Sequence, residues 1–460
     1  MERILSKGVE KNLGKEVVMY GWVAKRRNHG KIIFIDLRDR WGLTQIIFVD
    51  NIYRQSEKLS NEDVIKIKGI VKNRPKDMIN PKIISGKVEV HAQELTILSK
   101  SKNPPFEIED TGEISEEKRM QYRYLDLRSK RMQANLELRH KVIKFIRDFL
   151  IEKDFIEIET PLLTKSTPEG ARDYLVPSRL QPGKFYALPQ SPQQFKQLLM
   201  VAGFEKYFQI AKCLRDEDPR GDRQPEFTQL DLEMSFVNQD DILELGEDLF
   251  TKLVKEICPD MKITQTPFPR ISYKEAMEKY KTDRPDIRKD KKDPKELGFA
   301  WVIDWPEFTW NEQEKRWDPH HHIFTAPRTE DIPLLDKDPA KIRSWQHDLI
   351  LNGFEIAGGS IRITDPKIQE KILKLVGISK KEAKAKFGHM LEAFEYGVPP
   401  HGGIAPGIDR FCAILQNEPS IREVIAFPKT GDGRDLMMNA PSEIESNQLK
   451  ELGIKIDKSS

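Results

Sequence analysis

The sequence predicts an α+β fold with at least two domains, and three features carry that prediction. Short β-type runs separated by turn residues fill residues 1–104. A helix-type run leads into a β-type run and a proline in residues 131–161, and two alternating runs flank a turn-rich loop in residues 213–236. With 460 residues, the chain is long enough to bury more than one core.

The first predicted domain covers residues 1–104. Its five predicted strands are Val17–Ala24, Ile32–Arg38, Leu43–Val49, Val64–Val71 and Lys87–Ile97. Several short strands in so short a segment are typical of a small barrel such as the OB-fold, which binds oligonucleotides on its outer surface. A proline pair begins at the end of this segment, so residues 105–130 are the predicted linker and residues 131–460 the second domain.

Charge is distributed unevenly along the chain, although its total is only +2. Residues 1–105 carry 21 lysines and arginines against 12 acidic residues, a net +9, and the remainder carries a net −7. A basic barrel on an acidic body predicts a polyanionic partner such as RNA. No apolar run approaches the ~20 residues of a membrane span, and the start lacks a signal peptide's apolar stretch. Three cysteines without metal-ligand spacing favour a cytoplasmic location without membrane contact.

The alternating runs at residues 213–236 place chemically useful side chains together. Phe227, Asp231 and Glu233 fall on one face of the second run, and Arg215 and Glu217 share parity in the first. An arginine fork, an aromatic plate and carboxylates suit the phosphates, base and amines of a nucleoside triphosphate and its co-substrate. The alternative is an ordinary solvated polar face, although such a face has no use for a phenylalanine.

Three segments resemble one family. Arg215-Asp216-Glu217 followed by Phe227 resembles motif 2 of the class II aminoacyl-tRNA synthetases, and RDEDPRGDRQPEFTQLD is similar to its bacterial aspartyl version. The helix, strand and Pro161 resemble motif 1, the family's dimer element, and the glycine-rich run ending in a helix with Arg410 resembles motif 3. The resemblance implies an OB-fold anticodon-binding domain, a class II catalytic domain with an antiparallel sheet flanked by helices, and a homodimer.

The resemblance also implies the reaction. L-aspartate would be activated with ATP and Mg²⁺ to aspartyl-adenylate and then transferred to the 3′ end of tRNA-Asp. The residues implied in catalysis are Arg215, Glu355 and Arg410. The residues implied at ATP are Arg215, Glu217, Gln224, Phe227, His321, His322, Glu355, Gly407 and Arg410. Gly402 and Gly403 would clear space beside the adenine.

A second set is implied at the amino acid. These residues are Glu169, Gln193, Lys196, Asp231, Ser360 and Arg362. Lys196 and Arg362 would meet the side-chain carboxylate of aspartate, and asparagine would leave both cations without a counter-charge. A desolvated site of this kind can reject an analogue by roughly 10⁴–10⁵.

Asp348 and Glu355 offer the hard oxygen ligands that Mg²⁺ prefers. They are seven residues apart, so strict alternation along one strand would place them on opposite faces, and a bend must intervene. The run His320-His321-His322 is a weaker candidate for metal, because adjacent side chains on a strand point in opposite directions.

The barrel carries the residues implied at tRNA, namely Arg27, His29, Phe34, Gln45 and Arg74. Phe34 would stack on an anticodon base and Gln45 would contact a base edge, as unstacked RNA bases require. Bacterial aspartyl enzymes restricted to tRNA-Asp tend to carry leucine where this chain has His29, and those that also charge tRNA-Asn often carry histidine. The sequence therefore predicts a non-discriminating enzyme, the alternative being a loop histidine without consequence.

The family's bacterial members usually have an inserted domain near residues 281–298, and only a short polar run occurs here. Three alternative functions remain at this stage. An asparaginyl-tRNA synthetase should not keep Lys196 in its specificity helix. An amidating enzyme that makes free asparagine has no use for the basic barrel. A catalytically silent RNA-binding paralogue has no use for the intact set around Arg215 and Arg410.

Overall fold

The computed structural model describes residues 2–167, 170–218 and 222–457. They form two compact units, Met1–Ile114 and Ser115–Ser460. The structure therefore divides the predicted linker, because its second half belongs to the second unit as two short helices. Buried ion pairs explain this, since Arg119 Nη2 lies 2.7 Å from Glu423 and Arg123 donates to backbone carbonyls at residues 422–426.

The first unit is a closed five-stranded barrel with strand order β1-β2-β3-β5-β4. Its elements are β1 Glu16–His29, β2 Ile32–Asp39, β3 Gly42–Phe48, helix α1 Asp50–Ser56, β4 Val64–Asn73 and β5 Val88–Ser99. Alternate residues such as Ile33 and Ile35 point into the barrel and are fully buried. The predicted barrel is confirmed, with the first strand longer than predicted.

The second unit contains ten helices in the described ranges. They are α2 Glu116–Gln121, α3 Arg123–Asp126, α4 Lys130–Ile151, α5 Gln193–Val201, α6 Gln239–Ile257, α7 Tyr273–Lys279, α8 Pro366–Leu375, α9 Lys380–Phe394, α10 Ile408–Leu415 and α11 Ser446–Leu452. Caps start several of them: the Ser129 hydroxyl accepts the Met132 N–H at the start of α4, and Asn238 forms a capping box with Asp241 at α6. None of the helices in the described ranges is long and apolar enough to cross a membrane.

Fourteen strands complete the described part of the second unit. They are β6 Ile156–Glu157, β7 Leu175–Pro177, β8 Phe185–Ala187, β9 Lys206–Leu214, β10 Glu226–Ser235, β11 Lys262–Ile263, β12 Arg270–Ser272, β13 Glu296–Leu297, β14 Phe299–Ile303, β15 Phe308–Asn311, β16 Arg316–Pro319, β17 Gln346–Leu351, β18 Phe354–Ile361 and β19 His401–Pro406. Eight of them form one sheet in the order β12-β14-β17-β18-β19-β10-β9-β6. The predicted antiparallel pairing holds at the centre, but both outer strands, β12 and β6, pair in parallel, so the sheet is mixed.

One face of this sheet packs on helices and the other faces the site. Leu230 and Leu232 of β10 join a core with Ile146 of α4, Leu253 of α6 and Phe411 of α10. Because strand side chains alternate, the residues between these leucines point to the opposite face. Phe236, just beyond β10, has a φ of 59° and is 67% exposed.

A short loop occupies the segment where an inserted domain was predicted to be missing. The buried carboxylate of Glu296 accepts the backbone N–H groups of Lys289 and Asp290 at 3.0 and 2.8 Å, and the hydroxyl of Thr264 at 3.0 Å. These bonds lower the pKa of Glu296. The carboxylate thus closes the charged loop back onto β13.

Candidate active site

A cavity of about 400 Å³ lies over the polar face of the sheet in the second unit. This volume falls in the usual range for small-ligand sites. The structure brings most of the predicted residues to it. The predicted residues that line it are Gln193, Lys196, Arg215, Glu217, Gln224, Phe227, Asp231, His321, His322, Glu355, Arg362, Gly407 and Arg410. Glu169, predicted at the amino acid, lies outside the described residues, as do residues 219–221 of the loop between β9 and β10.

One end of the cavity, predicted to hold the amino acid and called the amino-acid end below, has an ionic cluster as its floor. Lys196 Nζ lies 2.7 Å from Asp231 Oδ1 and 3.2 Å from Glu233 Oε2. Arg362 donates from Nε and Nη2 to the two oxygens of Glu233 at 2.8 and 3.1 Å. All four side chains are nearly or fully buried, so the predicted pair of cations does meet away from bulk water.

Glu233 was the residue that sequence reasoning missed. Its parity on β10 pointed to this face, but no role was assigned, and it supplies the counter-charge that Lys196 and Arg362 were expected to lack. Burial raises the pKa of Glu233, yet the charges of Arg362 and Lys196 outweigh burial and lower that pKa to about 2. The expectation that asparagine would leave both cations uncompensated is therefore wrong, and selectivity needs another physical basis.

The remaining donors of the two cations provide that basis. Arg362 Nη1 also donates to Ser360 Oγ at 2.6 Å and lies 2.7 Å from His322 Nε2. Among the described residues, these contacts engage four of the guanidinium's five N–H groups, and the carboxylates of Asp231 and Glu233 engage two of the three N–H groups of Lys196. Two spare N–H donors from two fixed cations match the two oxygens of one carboxylate, whereas an amide presents only one acceptor.

Asp231 keeps an acceptor in reserve. Its Oδ2 is buried, and no described residue lies in hydrogen-bonding geometry to it. Burial raises the pKa of Asp231, and Lys196 opposes that shift. This oxygen is suited to a substrate ammonium group, as the resemblance implied.

The two histidines predicted at the γ-phosphate lie in different surroundings. His322 is buried against Arg362, and burial together with the charges of Arg362 and Lys196 keeps its pKa well below the usual value. It therefore lies at the amino-acid end. His321 faces the other end, with Nε2 3.5 Å from Asp348 and its ring 4.8 Å from that of Trp305. The run follows β16 as a bend rather than a strand, so His320 and His321 have neighbouring rings, 5.0 Å apart, instead of opposite orientations.

The other end of the cavity, predicted to hold ATP and called the nucleotide end below, is formed by the loop after β9 and by the start of β10. β9 ends before Arg215, so Arg215 and Glu217 lie in this loop and not on a strand as predicted. The Arg215 guanidinium lies 5.0 Å from the centre of the Phe227 ring, a cation–π distance. Glu217 forms an exposed ion pair with Arg223 at 2.9 Å.

Arg410 closes the nucleotide end from α10. Its guanidinium contacts the backbone carbonyl of Glu355 and lies 3.3 Å from Asp222. Gln224, predicted at ATP, instead uses both ends of its amide on the backbone of Lys429, at 2.7 and 3.0 Å. Gln224 therefore fixes the loop to a distant segment as well as lining the cavity.

The predicted bend between Asp348 and Glu355 is a hairpin turn. Asn352 and Gly353 have φ values of 53° and 83°, and they join β17 to β18. The register of the two strands also shifts after Leu349. Both carboxylates lie beside Gly358, because a Cβ added there would be 3.2 Å from Asp348 and 3.7 Å from Glu355.

This carboxylate pair fits Mg²⁺. Burial and the neighbouring charge of Asp348 raise the pKa of Glu355, as expected where two like charges share a site that a cation would neutralise. Across the described residues, no group of three or more histidine, cysteine or acidic side chains could hold a metal by itself. Mg²⁺ commonly uses one or two carboxylates together with substrate phosphates and water, so two ligands suffice.

The glycines of β19 have a different role from the predicted one. A Cβ on Gly403 would lie 2.1 Å from Glu233 Oε2, and one on Gly402 would lie 2.7 Å from Ile361. These two glycines therefore admit Glu233 and the neighbouring strand, and do not clear space for adenine. Gly407 alone of the three has room beside the cavity.

Asp409, beside Arg410, joins three predicted motifs and was not singled out from the sequence. Its Oδ2 accepts the backbone N–H of Thr228 on β10 at 2.8 Å, and its Oδ1 contacts Arg139 of α4. Thr228 follows Phe227, so one carboxylate links the strand with the aromatic plate, the helix with Arg410 and the helix of motif 1.

The first unit brings its predicted residues to one outer face. Phe34 pairs in register with Arg27 and lies 5.6 Å from the His29 ring. Arg27 bonds to Asp36 at 2.7 and 2.8 Å and to Gln45 at 3.4 Å.

Glu89 completes this polar face and was missed by sequence reasoning. It accepts from Gln45 at 3.0 Å and lies 3.1 Å from His91. Arg74 is buried beside it, and burial lowers the pKa of Arg74 while Glu89 opposes the shift. An aromatic ring beside amide, carboxylate and guanidinium groups suits the stacking and base-edge contacts of single-stranded RNA.

Both units match known families. Residues 115–431 match the tRNA synthetases class II (D, K and N), and residues 17–98 match the OB-fold nucleic acid binding domain. Among curated proteins, the chain is similar to an aspartate–tRNA(Asp/Asn) ligase of Rubrobacter xylanophilus, at 43% identity over 97% of this chain and 95% of that protein. A ligase of the same name from Dehalococcoides mccartyi is also 43% identical, over 97% and 98%.

The alignment with the Rubrobacter protein runs over 571 residues, whereas this chain has 460, so the relative contains a long segment without a counterpart here. Among solved structures, the asparaginyl-tRNA synthetase from Pyrococcus horikoshii complexed with asparaginyl-adenylate has a TM-score of 0.77 at 23% identity, over 94% of this chain and 98% of that one. The aspartyl-tRNA synthetase from Entamoeba histolytica has a TM-score of 0.73 at 23% identity, over 93% and 91%. At these identities the structures support the fold alone.

Fold, family match and curated relatives agree over nearly the whole chain. The chain therefore belongs to the class II tRNA synthetases of the D, K and N family.

Proposed function

We propose that the protein is an aspartate–tRNA ligase, which activates L-aspartate with ATP and transfers the aspartyl group to tRNA. The observation that carries this proposal is the buried cluster in which Lys196 and Arg362 share Glu233 and each have one N–H that no described residue engages. Two such donors suit the side-chain carboxylate of aspartate. The names of the curated relatives support the same substrate.

In the first step, the α-carboxylate of aspartate attacks the α-phosphate of ATP. A new C–O–P bond forms, the bond to the β-phosphate oxygen breaks, and pyrophosphate leaves. Arg215 neutralises charge that builds on the α-phosphate, and Phe227 carries the adenine ring. Arg410 binds the γ-phosphate. No side chain acts as a nucleophile, since positioning and electrostatic stabilisation suffice.

Asp348 and Glu355 would hold Mg²⁺ beside the phosphates. When bound, the ion supplies positive charge that offsets the negative charge of the triphosphate. The raised pKa of Glu355 supports this role because a nearby cation would favour the ionised form of both carboxylates.

In the second step, the 3′-hydroxyl of the terminal adenosine of tRNA attacks the aspartyl carbonyl and AMP leaves. The barrel would bind the anticodon through the face around Phe34, Gln45 and Arg74. His29 lies exposed against Phe34, where a change of side chain would alter the surface offered to a base.

We further propose that tRNA-Asn is charged as well as tRNA-Asp. The test is side-by-side charging of both transcripts. Values of kcat/KM for the two tRNAs that agree within an order of magnitude would support a non-discriminating enzyme. Charging of tRNA-Asp alone would overturn it while leaving the aspartate ligase in place.

A homodimer built on motif 1 completes the proposal. The edge strand β6 is short, and Ile156 in it is 49% exposed. Ile151, Leu162 and Leu163 add exposed apolar surface along the chain on either side. A sheet edge with exposed apolar side chains is the kind of surface that a second copy covers in a two-fold dimer.

A further inference from the structure

Behind the amino-acid end lies a row of buried polar groups that the proposed reaction does not yet use. Gln193 and Gln197 are four residues apart on α5 and share a face, and His401 begins β19 beside them. Gln193 is 6% exposed, and Gln197 and His401 are fully buried. Only Gln193 lines the cavity.

Their contacts form one chain. Gln193 Nε2 lies 2.9 Å from Gln197 Oε1, and Gln197 Nε2 lies 3.2 Å from His401 Nε2. His401 Nδ1 lies 2.8 Å from the backbone carbonyl of Pro399. The chain therefore ends at an oxygen that can only accept a hydrogen bond.

The Pro399 carbonyl fixes which group donates and which accepts in every hydrogen bond of this row. The Pro399 carbonyl requires a proton on His401 Nδ1, and a neutral imidazole then offers Nε2 as an acceptor. Burial lowers the pKa of His401, which favours the neutral ring. Gln197 must therefore point its NH₂ group at His401 and its oxygen at Gln193, and Gln193 must donate its NH₂ group to Gln197.

We propose that Gln197 and His401 are positioning residues that hold the Gln193 carboxamide with its oxygen toward the substrate amine. This inference rests on the proposed function, and it places Gln193, one of the residues implied at the amino acid, at the ammonium group of aspartate. The opposite orientation would present an NH₂ group to a cation and repel it. With Asp231 Oδ2, Gln193 Oε1 gives the ammonium two fixed acceptors.

The first test compares aspartate with succinate, which has the same two carboxylates and no amine. In Gln197→Met, the Gln193 amide loses its fixed direction. We expect the KM for aspartate in ATP–pyrophosphate exchange to rise about tenfold. The inhibition constant of succinate and the KM for ATP should stay within about twofold. A merely structural effect would weaken aspartate and succinate equally, and that result would overturn the inference.

Two further variants sharpen the comparison. His401→Phe removes the acceptor at Nε2 while keeping a planar ring, and we expect the same loss for aspartate alone. Gln369→Met is the matched control, because Gln369 is also a buried glutamine, on α8, that donates to a backbone carbonyl at 2.8 Å. Gln369→Met should change neither the KM for aspartate nor the inhibition constant of succinate. A shift in the aspartate-to-succinate ratio in this control would also contradict the assignment.

A measurement on the unaltered enzyme does not depend on whether a variant folds. In a ¹⁵N-histidine spectrum, one of the nine histidines should be neutral with its proton on Nδ1 and respond when succinate is replaced by aspartate. A proton on Nε2 of His401 would reverse the donors and acceptors of these hydrogen bonds and would overturn the proposal. Absence of aspartate-dependent exchange in the unaltered enzyme would instead refute the proposed function, so the two failures are distinguishable.

Discussion

At the scale of single residues, the amino-acid end depends on one carboxylate held between two cations. Glu233 is fully buried and bonds to Lys196 and Arg362 at the same time. Hydrogen bonds to charged groups are worth about 1.5–3 kcal/mol, and a buried charge without its partner costs more. Glu233 therefore sets where both cations point.

Glu233→Gln tests this role. Glutamine removes the negative charge between the two cations and replaces one acceptor oxygen with an NH₂ group, so the two-oxygen contact with Arg362 is lost and both cations should lose their shared alignment. We expect kcat/KM for aspartate to fall about 100-fold, with the KM for ATP within about twofold. The measurement is ATP–pyrophosphate exchange at varied aspartate and varied ATP.

Glu226→Gln is the control on the same strand, because Glu226 pairs with Lys429 away from the cluster. It should leave exchange unchanged. Equal losses for aspartate and ATP in Glu233→Gln would show general disruption of the site and contradict the role given to Glu233.

A buried histidine behind the cluster makes stability depend on pH. Burial, and then the charge of Arg362, lower the pKa of His347 from 6.5 to about 4. The unfolded chain binds this proton below pH 6.5 and the folded chain only near pH 4, so stability is present above 6.5 and lost as pH falls toward 4. At pH 5 the expected loss from His347 is about 2 kcal/mol.

Urea unfolding at pH 7 and pH 5, followed by tryptophan fluorescence, measures this loss. His347→Asn should be less stable than the unaltered protein at pH 7 but should lose less on acidification. Parallel pH slopes for the two proteins would show that His347 titrates normally in the folded state.

At the scale of elements, two of the site's features follow from local sequence signals and one does not. The Asn352-Gly353 pair between alternating runs is a standard hairpin signal, and applying it would have placed Asp348 and Glu355 on adjacent strands. The alternation of side chains along β10 was enough to predict that Asp231 lies on the face of the sheet that lines the cavity. The partnership of Glu233 with Arg362 joins residues 129 positions apart, and no local pattern specifies such a pair.

The same limit applies to the other departures. Arg215 left the predicted strand because β9 ends at Leu214, and strand ends depend on pairing more than on local composition. His321 and His322 were predicted together at ATP, but the bend after β16 sends the two rings to different ends of the cavity. The OB-type barrel was predictable because five short strands with regular turns leave few other ways to bury their apolar faces.

The ion pair between Arg139 of α4 and Asp409 of α10 leads to a prediction about ATP binding. Arg139 contacts Asp409, which in turn holds the backbone of β10 next to Phe227. In Arg139→Gln, α10 and β10 should lose part of their fixed spacing. We expect the KM for ATP to rise about tenfold and the KM for aspartate to change less than about twofold.

Arg147→Gln on the same helix is the matched control, since Arg147 forms an exposed ion pair with Glu157 at 2.9 Å. Exposed pairs contribute little, so its kinetics should be unchanged. An equal effect of both substitutions on the KM for ATP would place the cause in α4 as a whole and not in the contact with Asp409.

At the scale of the whole molecule, the exposed edge of the sheet predicts assembly. Ile156→Lys places a charge on edge strand β6, which should disfavour burial against a second copy. Light scattering after size exclusion should give a dimer for the unaltered 53.5 kDa chain and a shift toward monomer for the variant. Trp310→Lys, on the β15–β16 hairpin, should remain dimeric. A monomeric unaltered protein would contradict the motif 1 interface.

In the proposed function, two fixed cations that share one buried carboxylate select an amino acid by its side-chain carboxylate. ATP–pyrophosphate exchange with aspartate and with asparagine as alternative substrates measures this selection. We expect strong exchange with aspartate and a kcat/KM for asparagine lower by about 10⁴ or more. Comparable exchange with both amino acids, or exchange with asparagine alone, would contradict it.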